Sequence, residues 1–335
     1  LNDALTDLNV KEVVGPVTFE LWDTLYAASE TFPLIINDYL GASQTNTVTI
    51  QPKPGVDAHI TGNSATGILH LNGCWYVTID GSNLSEAGGA LTWENTSATA
   101  GSYAIGLLNN EYSGASNCTI RGCTVRSSSQ LTNSTYGIYL SPSGGGYNNI
   151  VIDNNVICSA RYGIHFAGQW NRKAVNGQIT NNVIGSTILA DEVKYQGIFV
   201  LDASGTLIEG NEIIGASSGN TGQAGIYLST GADNTVIKGN VIHRIQSSAT
   251  NSNCTGINVA TTSAETPTKI INNLIYNIKA GAYPSGINIS SAGNVSVQHN
   301  TISLTDTTFL TTNTTSHYSA CLVAGSSSTL LDVRN

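Results

Sequence analysis

The chain is 335 residues long; only 10% of them are Asp, Glu, Lys or Arg, 35 are Gly, and the net charge is −9. A negative balance with no cluster of Lys and Arg excludes nucleic acid and anionic membrane surfaces as partners, because their phosphates call for dense basic patches. No stretch approaches the roughly 18 apolar residues that a membrane-spanning helix needs, and the surface is made polar by Asn, Ser and Thr rather than by charge.

From the N-terminus, Leu1, Ala4, Leu5 and Leu8 recur at helical spacing and predict a short amphipathic capping helix. Val17-Thr18-Phe19-Glu20-Leu21 and Leu34-Ile35-Ile36 read as irregular strands, so residues 1–46 are expected to form an N-terminal cap. Residues 47–335 are expected to form one solenoid. It stops within a repeat at Asp332-Val333-Arg334-Asn335, which reads as a fragment or a processed product.

One phrase recurs six times: Gly-Ile-x-apolar, a polar turn, apolar-x-apolar, two residues, then Asn-x-Ile. Its glycines are Gly137, Gly163, Gly197, Gly225, Gly256 and Gly286, and its asparagines Asn155, Asn182, Asn211, Asn240, Asn273 and Asn300. Val77 to Gly81 and Cys118 to Cys123 are earlier, degenerate copies, and Leu330 to Asn335 begins a later one. The apolar runs alternate with period two and are too short to make a sheet of their own. Each must pair with its counterpart one repeat on, which stacks equivalent residues about 4.8 Å apart. The expected fold is all-β: a parallel β-helix solenoid with an N-terminal capping segment, in which the repeat isoleucines point inward and the Asn column forms a structural amide ladder.

This repeat resembles the right-handed parallel β-helix repeat of the pectate-lyase-like superfamily over roughly residues 47–335. The leading segment, with Gly15-Pro16-Val17-Thr18-Phe19, Asn46-Thr47-Val48-Thr49-Ile50-Gln51-Pro52 and Tyr76-Val77-Thr78-Ile79-Asp80-Gly81, is similar to large secreted bacterial surface proteins exported with a C-terminal sorting domain. The resemblance implies an extracellular or cell-surface location, and substrates lying along one outward strand face where the protein is an enzyme. Fold alone does not give function.

Two outward columns stand out. The first, after the repeat Ile, reads Gly106, Tyr139, His165, Phe199, Tyr227, Asn258, Asn288 and Leu322. Its four successive rings, Tyr139, His165, Phe199 and Tyr227, are either a platform for sugar rings or simply aromatics that stabilise a parallel sheet. The second, before the ladder Asn, reads Asp80, Arg121, Asp153, Thr180, Glu209, Lys238, Ile271 and Gln298, with Arg121 expected to face Asp153 and Glu209 to face Lys238 as surface ion pairs. Catalytic candidates cluster on the longer loops. Tyr162, His165 and Lys194 suit polysaccharide β-elimination, and Asp191 with Asp202 suits hydrolysis, without the local motif of a known lyase or hydrolase.

No metal or cofactor is expected, since the carboxylates are scattered and no Asp-x-Asp-x-Asp or His-x-x-x-His spacing occurs. The six cysteines follow neither a zinc pattern nor a disulfide scaffold. They read as buried free thiols, with Cys118 and Cys321 inward and Cys123 on the turn, or as one or more disulfides between coils. The sequence therefore favours an extracellular, non-catalytic β-helix with a structural, adhesive or fibre-forming role, whose partners are further copies of itself. A carbohydrate-active protein with polysaccharide as its partner is the alternative.

Overall fold

The computed structural model describes residues 1–82, 89–219, 221–260, 265–291, 293–304, 319–325 and 330–334. Short strands wind into three parallel sheets, each coil adding one strand to each. Among the described residues, sheet A has 11 strands, from Val17–Leu21 to Leu330–Arg334; sheet B has 10, from Leu25–Tyr26 to Thr301–Ser303; sheet C has 10, from Leu34–Asn37 to Ala320–Ala324. The helix Asn2–Leu8 buries Leu5 and Leu8 and packs against the first strand of sheet C. Residues read from the sequence as irregular strands already lie in the frame: Val17 pairs with Val48 and Leu34 with Leu69.

Both halves of the Gly-Ile phrase have a packing cause. Ile138, Ile164, Ile198, Ile226, Ile257 and Ile287 stack in register and are fully buried. A Cβ on the preceding glycine would collide with the opposite wall: at Gly225 it would lie 2.4 Å from Ile242 Cγ2 of sheet B and 2.7 Å from the Gly256 carbonyl oxygen. Glycine thus lets sheets B and C close on one another at native packing density.

The register corrects the last coil. Ile287 pairs with Leu322 and Asn288 with Val323, so Leu322 belongs to the inward isoleucine column and Val323 to the outward one. Cys321 correspondingly takes the glycine position and is exposed rather than inward. The other five cysteines are buried, free thiols.

The ladder asparagines sit between sheets A and B, each following a residue with positive φ: Asn154, Asn181, Gly210, Gly239, Asn272 and His299. Gly adopts this left-handed conformation freely, and Asn and His are the side chains enriched in it, which explains the residue types just ahead of the ladder. Asn211 shows the wiring. Its Oδ1 accepts from the Asn182 backbone N–H at 3.0 Å and from Asn182 Nδ2 at 2.9 Å, while its Nδ2 donates to the Ile179 carbonyl at 2.8 Å and to Asn240 Oδ1 at 3.0 Å. The same bonds repeat from Asn155 to Asn300.

On the outer face of sheet A, Lys238 pairs with Glu209 at 3.0 Å. Arg121, in register with carboxylates on both sides, bonds to Asp80 through Nε at 2.9 Å and Nη2 at 2.6 Å, not to Asp153. Asp153 instead accepts from Thr180 Oγ1 at 2.6 Å and Asn181 Nδ2 at 2.9 Å.

Candidate functional site

Sheet C differs from the other two in one respect: among the described residues its strands contain no Asp, Glu, Lys or Arg, whereas charged residues recur along the strands of sheets A and B. In place of charges its outer face carries rings. Tyr139, His165, Phe199 and Tyr227 stack coil upon coil, with centroids 5.1, 4.9 and 5.6 Å apart and planes inclined by 29°, 24° and 9°. Tyr103 extends the stack beneath Tyr139 at 5.1 Å and 15°. Its ring occupies space that only Gly67 and Gly106 leave open, since a Cβ at either would lie within 2.4 Å of it. Below it, His70 Nε2 is 3.0 Å from the Tyr103 hydroxyl. A second file, Tyr136 and Tyr162, flanks the first, with Tyr136 4.7 Å from Tyr139 and Tyr162 edge-on to His165 at 6.2 Å.

Stacking in register hides ring faces. Tyr139 has a ring against each face, as do His165 and Phe199, so they offer solvent mainly their edges. Tyr227 ends the stack, and the next positions in its column are Asn258 and Asn288. There the strip changes from aromatic to polar. Asn288 Nδ2 donates to Asn258 Oδ1 at 2.9 Å, and Thr255 and Ser285 share a hydroxyl–hydroxyl bond of 3.2 Å. Beside them lies a cleft of about 170 Å³ lined by Asn253, Thr255, Tyr283, Ser285, Asn288 and Val323.

The titratable groups of the strip are held neutral. Burial lowers His165 to about 4 and His70 to about 4. The His165 ring lies 3.2 Å from the Leu140 carbonyl through Nδ1, so it donates there and keeps Nε2 as an acceptor. Burial pushes Tyr162 up to about 12 and raises Tyr139 and Tyr227 as well. A base works best with a pKa near the operating pH, and neither the imidazole nor the phenols meet that condition near neutrality.

The catalytic sets read from the sequence are only partly assembled. Tyr162 and His165 are neighbours, but Lys194 donates to the Leu189 carbonyl and to buried Glu192, both at 3.0 Å, which fixes the loop ahead of its sheet C strand. Asp191 pairs with Arg126 at 2.6 Å and accepts from Ser159 Oγ at 3.0 Å. Asp202 follows the far end of strand Gln196–Leu201. That strand, roughly 16 Å long at about 3.3 Å per residue, separates two carboxyls that hydrolysis needs within about 5–9.5 Å. Asp191 and Asp202 therefore cannot act as a pair. Among the described residues, no three His, Cys, Asp or Glu side chains converge to hold a metal ion.

The sequence model for the right handed beta helix region matches residues 103–302. The chain belongs to this family. Among solved structures, this β-helix is similar to an alginate lyase from Paenibacillus, with 13% identity, a TM-score of 0.61, and coverage of 99% of this chain and 97% of that one. It is also similar to a DFA-IIIase from Arthrobacter chlorophenolicus, with 10% identity, a TM-score of 0.54, and coverage of 99% and 90%. At such identities the likeness establishes the fold alone. No curated protein sequence matches the β-helix.

Proposed function

We propose that this β-helix is an extracellular, cell-surface adhesin that holds polysaccharide along the outer face of sheet C without cleaving it. The observation that carries this reading is the uncharged strip, in which rings give way to amides and hydroxyls along one face of an otherwise acidic protein. Such a surface suits a glycan: the C–H faces of sugar rings pack on aromatic carbon, and their hydroxyls exchange hydrogen bonds with amides and alcohols. The parallel register repeats these contacts every coil, about 4.8 Å along the axis, so an extended chain meets many weak contacts at once.

Covered ring faces make the residues unequal. In affinity electrophoresis through gels containing polysaccharide, Tyr227→Ala is expected to weaken retention about tenfold, because it removes the terminal ring. Tyr139→Ala, whose ring is covered on both faces, is expected to cost thermal stability more than retention. Unchanged retention in Tyr227→Ala would return the whole stack to a packing role.

A further inference from the structure

Building on the glycan reading, we infer that the cleft beyond the aromatic stack seats one uncharged sugar unit and so selects neutral polysaccharides over uronate polymers. Among the described residues, the six that line it are uncharged. Asn253 and Asn288 supply amides and Thr255 and Ser285 hydroxyls, while Val323 and the Tyr283 ring provide apolar wall. Asn288 commits an amide N–H to Asn258 and keeps its Oδ1 as an acceptor. This mixture matches a ring that presents hydroxyls at its rim and C–H groups on its face.

Size and charge narrow the occupant. At about 170 Å³ the cleft is smaller than the ~300 Å³ at which drug-sized sites begin, so it takes one unit of a chain and leaves the rest to run along the strip toward Tyr227, one coil before Asn258. A uronate carboxylate seated there would lose water without gaining a cation from any of the described residues that line the cleft. The net charge of −9 further repels an approaching polyanion.

The test is affinity electrophoresis of the whole chain in gels containing mannan, xylan, inulin, alginate or polygalacturonate. The expected result is retention by at least one neutral polymer and by neither acidic one. Asn253→Ala with Asn288→Ala should reduce that retention at least tenfold. Val323→Phe, which fills the cleft while removing no polar group, should do the same at unchanged Tm, so loss of binding is not confused with loss of folding. If Tyr227→Ala weakens retention but both cleft variants bind as wild type, the cleft assignment is overturned and the sheet C reading stands. Tighter retention by alginate or polygalacturonate overturns the neutral class. Retention by no polymer overturns the cleft and the glycan reading together.

Discussion

Replacing Asn211 with alanine is expected to destabilise the middle of the β-helix by about 3 kcal/mol or more. The side chain is almost wholly buried and makes four hydrogen bonds. Its loss leaves two donor hydrogens of Asn182 without partners and takes the side-chain bond from the Ile179 carbonyl, and each stranded buried group costs about 1–3 kcal/mol. Contacts in a solenoid run only between neighbouring coils, so the damage should be local. Hydrogen exchange at the Asn182 amide should accelerate by at least two orders of magnitude, while amides near the helix Asn2–Leu8 keep wild-type protection. Glu209→Gln, which removes an exposed ion pair in the adjacent column, should cost no more than about 1 kcal/mol. A comparable loss in both variants would mean that the ladder has no special weight.

Acidification should weaken the fold in two separable steps. In the folded chain burial lowers His165 from 6.5 to about 4, so the unfolded chain takes up the proton first and stability falls as pH drops from about 6.5 toward 4. Once both states are protonated, the full loss is on the order of 3 kcal/mol, at about 1.4 kcal/mol per pH unit. His70 adds a loss of the same sign, reduced by its partial contact with solvent. Asp80 follows at lower pH. Its burial raises the carboxyl pKa, but hydrogen bonds from Arg121 and Ser82 outweigh burial and hold it below 3.8, so its contribution persists until pH falls beneath that value. His165→Phe keeps a ring in the stack and removes the titration. Thermal unfolding between pH 7 and 4 should therefore show a smaller Tm decrease in the variant than in wild type. Equal decreases would show that His165 is not the group being charged.

Much of the coil was legible because stacking forces one residue type into each column. The inward isoleucines and the turn asparagines each occupy a position where shape or hydrogen bonding admits little else, and the Gly before each Ile marks the register. That mark fails in the last coil, where Cys321 stands at the glycine position, and the columns were read one residue out of step. It is also missing before residue 47, so Val17–Leu21 and Leu34–Asn37 passed for irregular strands. Arg121 illustrates a different limit. Register offers it Asp80 and Asp153 equally, and only the local geometry settles on Asp80.

The candidate site was half visible. Four rings fall in one column, but Tyr103 joins them from a position three residues before the column, through the space left by Gly67 and Gly106. Spacing alone does not reveal that reach. The absence of charge from sheet C was present in the sequence, yet it emerges only when whole strands are assigned to sheets. The loop residues were the least legible. Lys194 and Asp191 have the chemistry of catalytic groups, and their partners, Glu192 and Arg126, give them structural work.

Retention and cleavage measured on the same polysaccharides would test the central claim most directly. The intact chain, incubated with neutral and acidic polymers near neutral pH, is expected to be retained by a neutral polymer while releasing no new reducing ends and no unsaturated uronate. Steady release of either product, abolished by substituting Tyr162 or His165, would contradict a non-cleaving adhesin and establish sheet C as an active site.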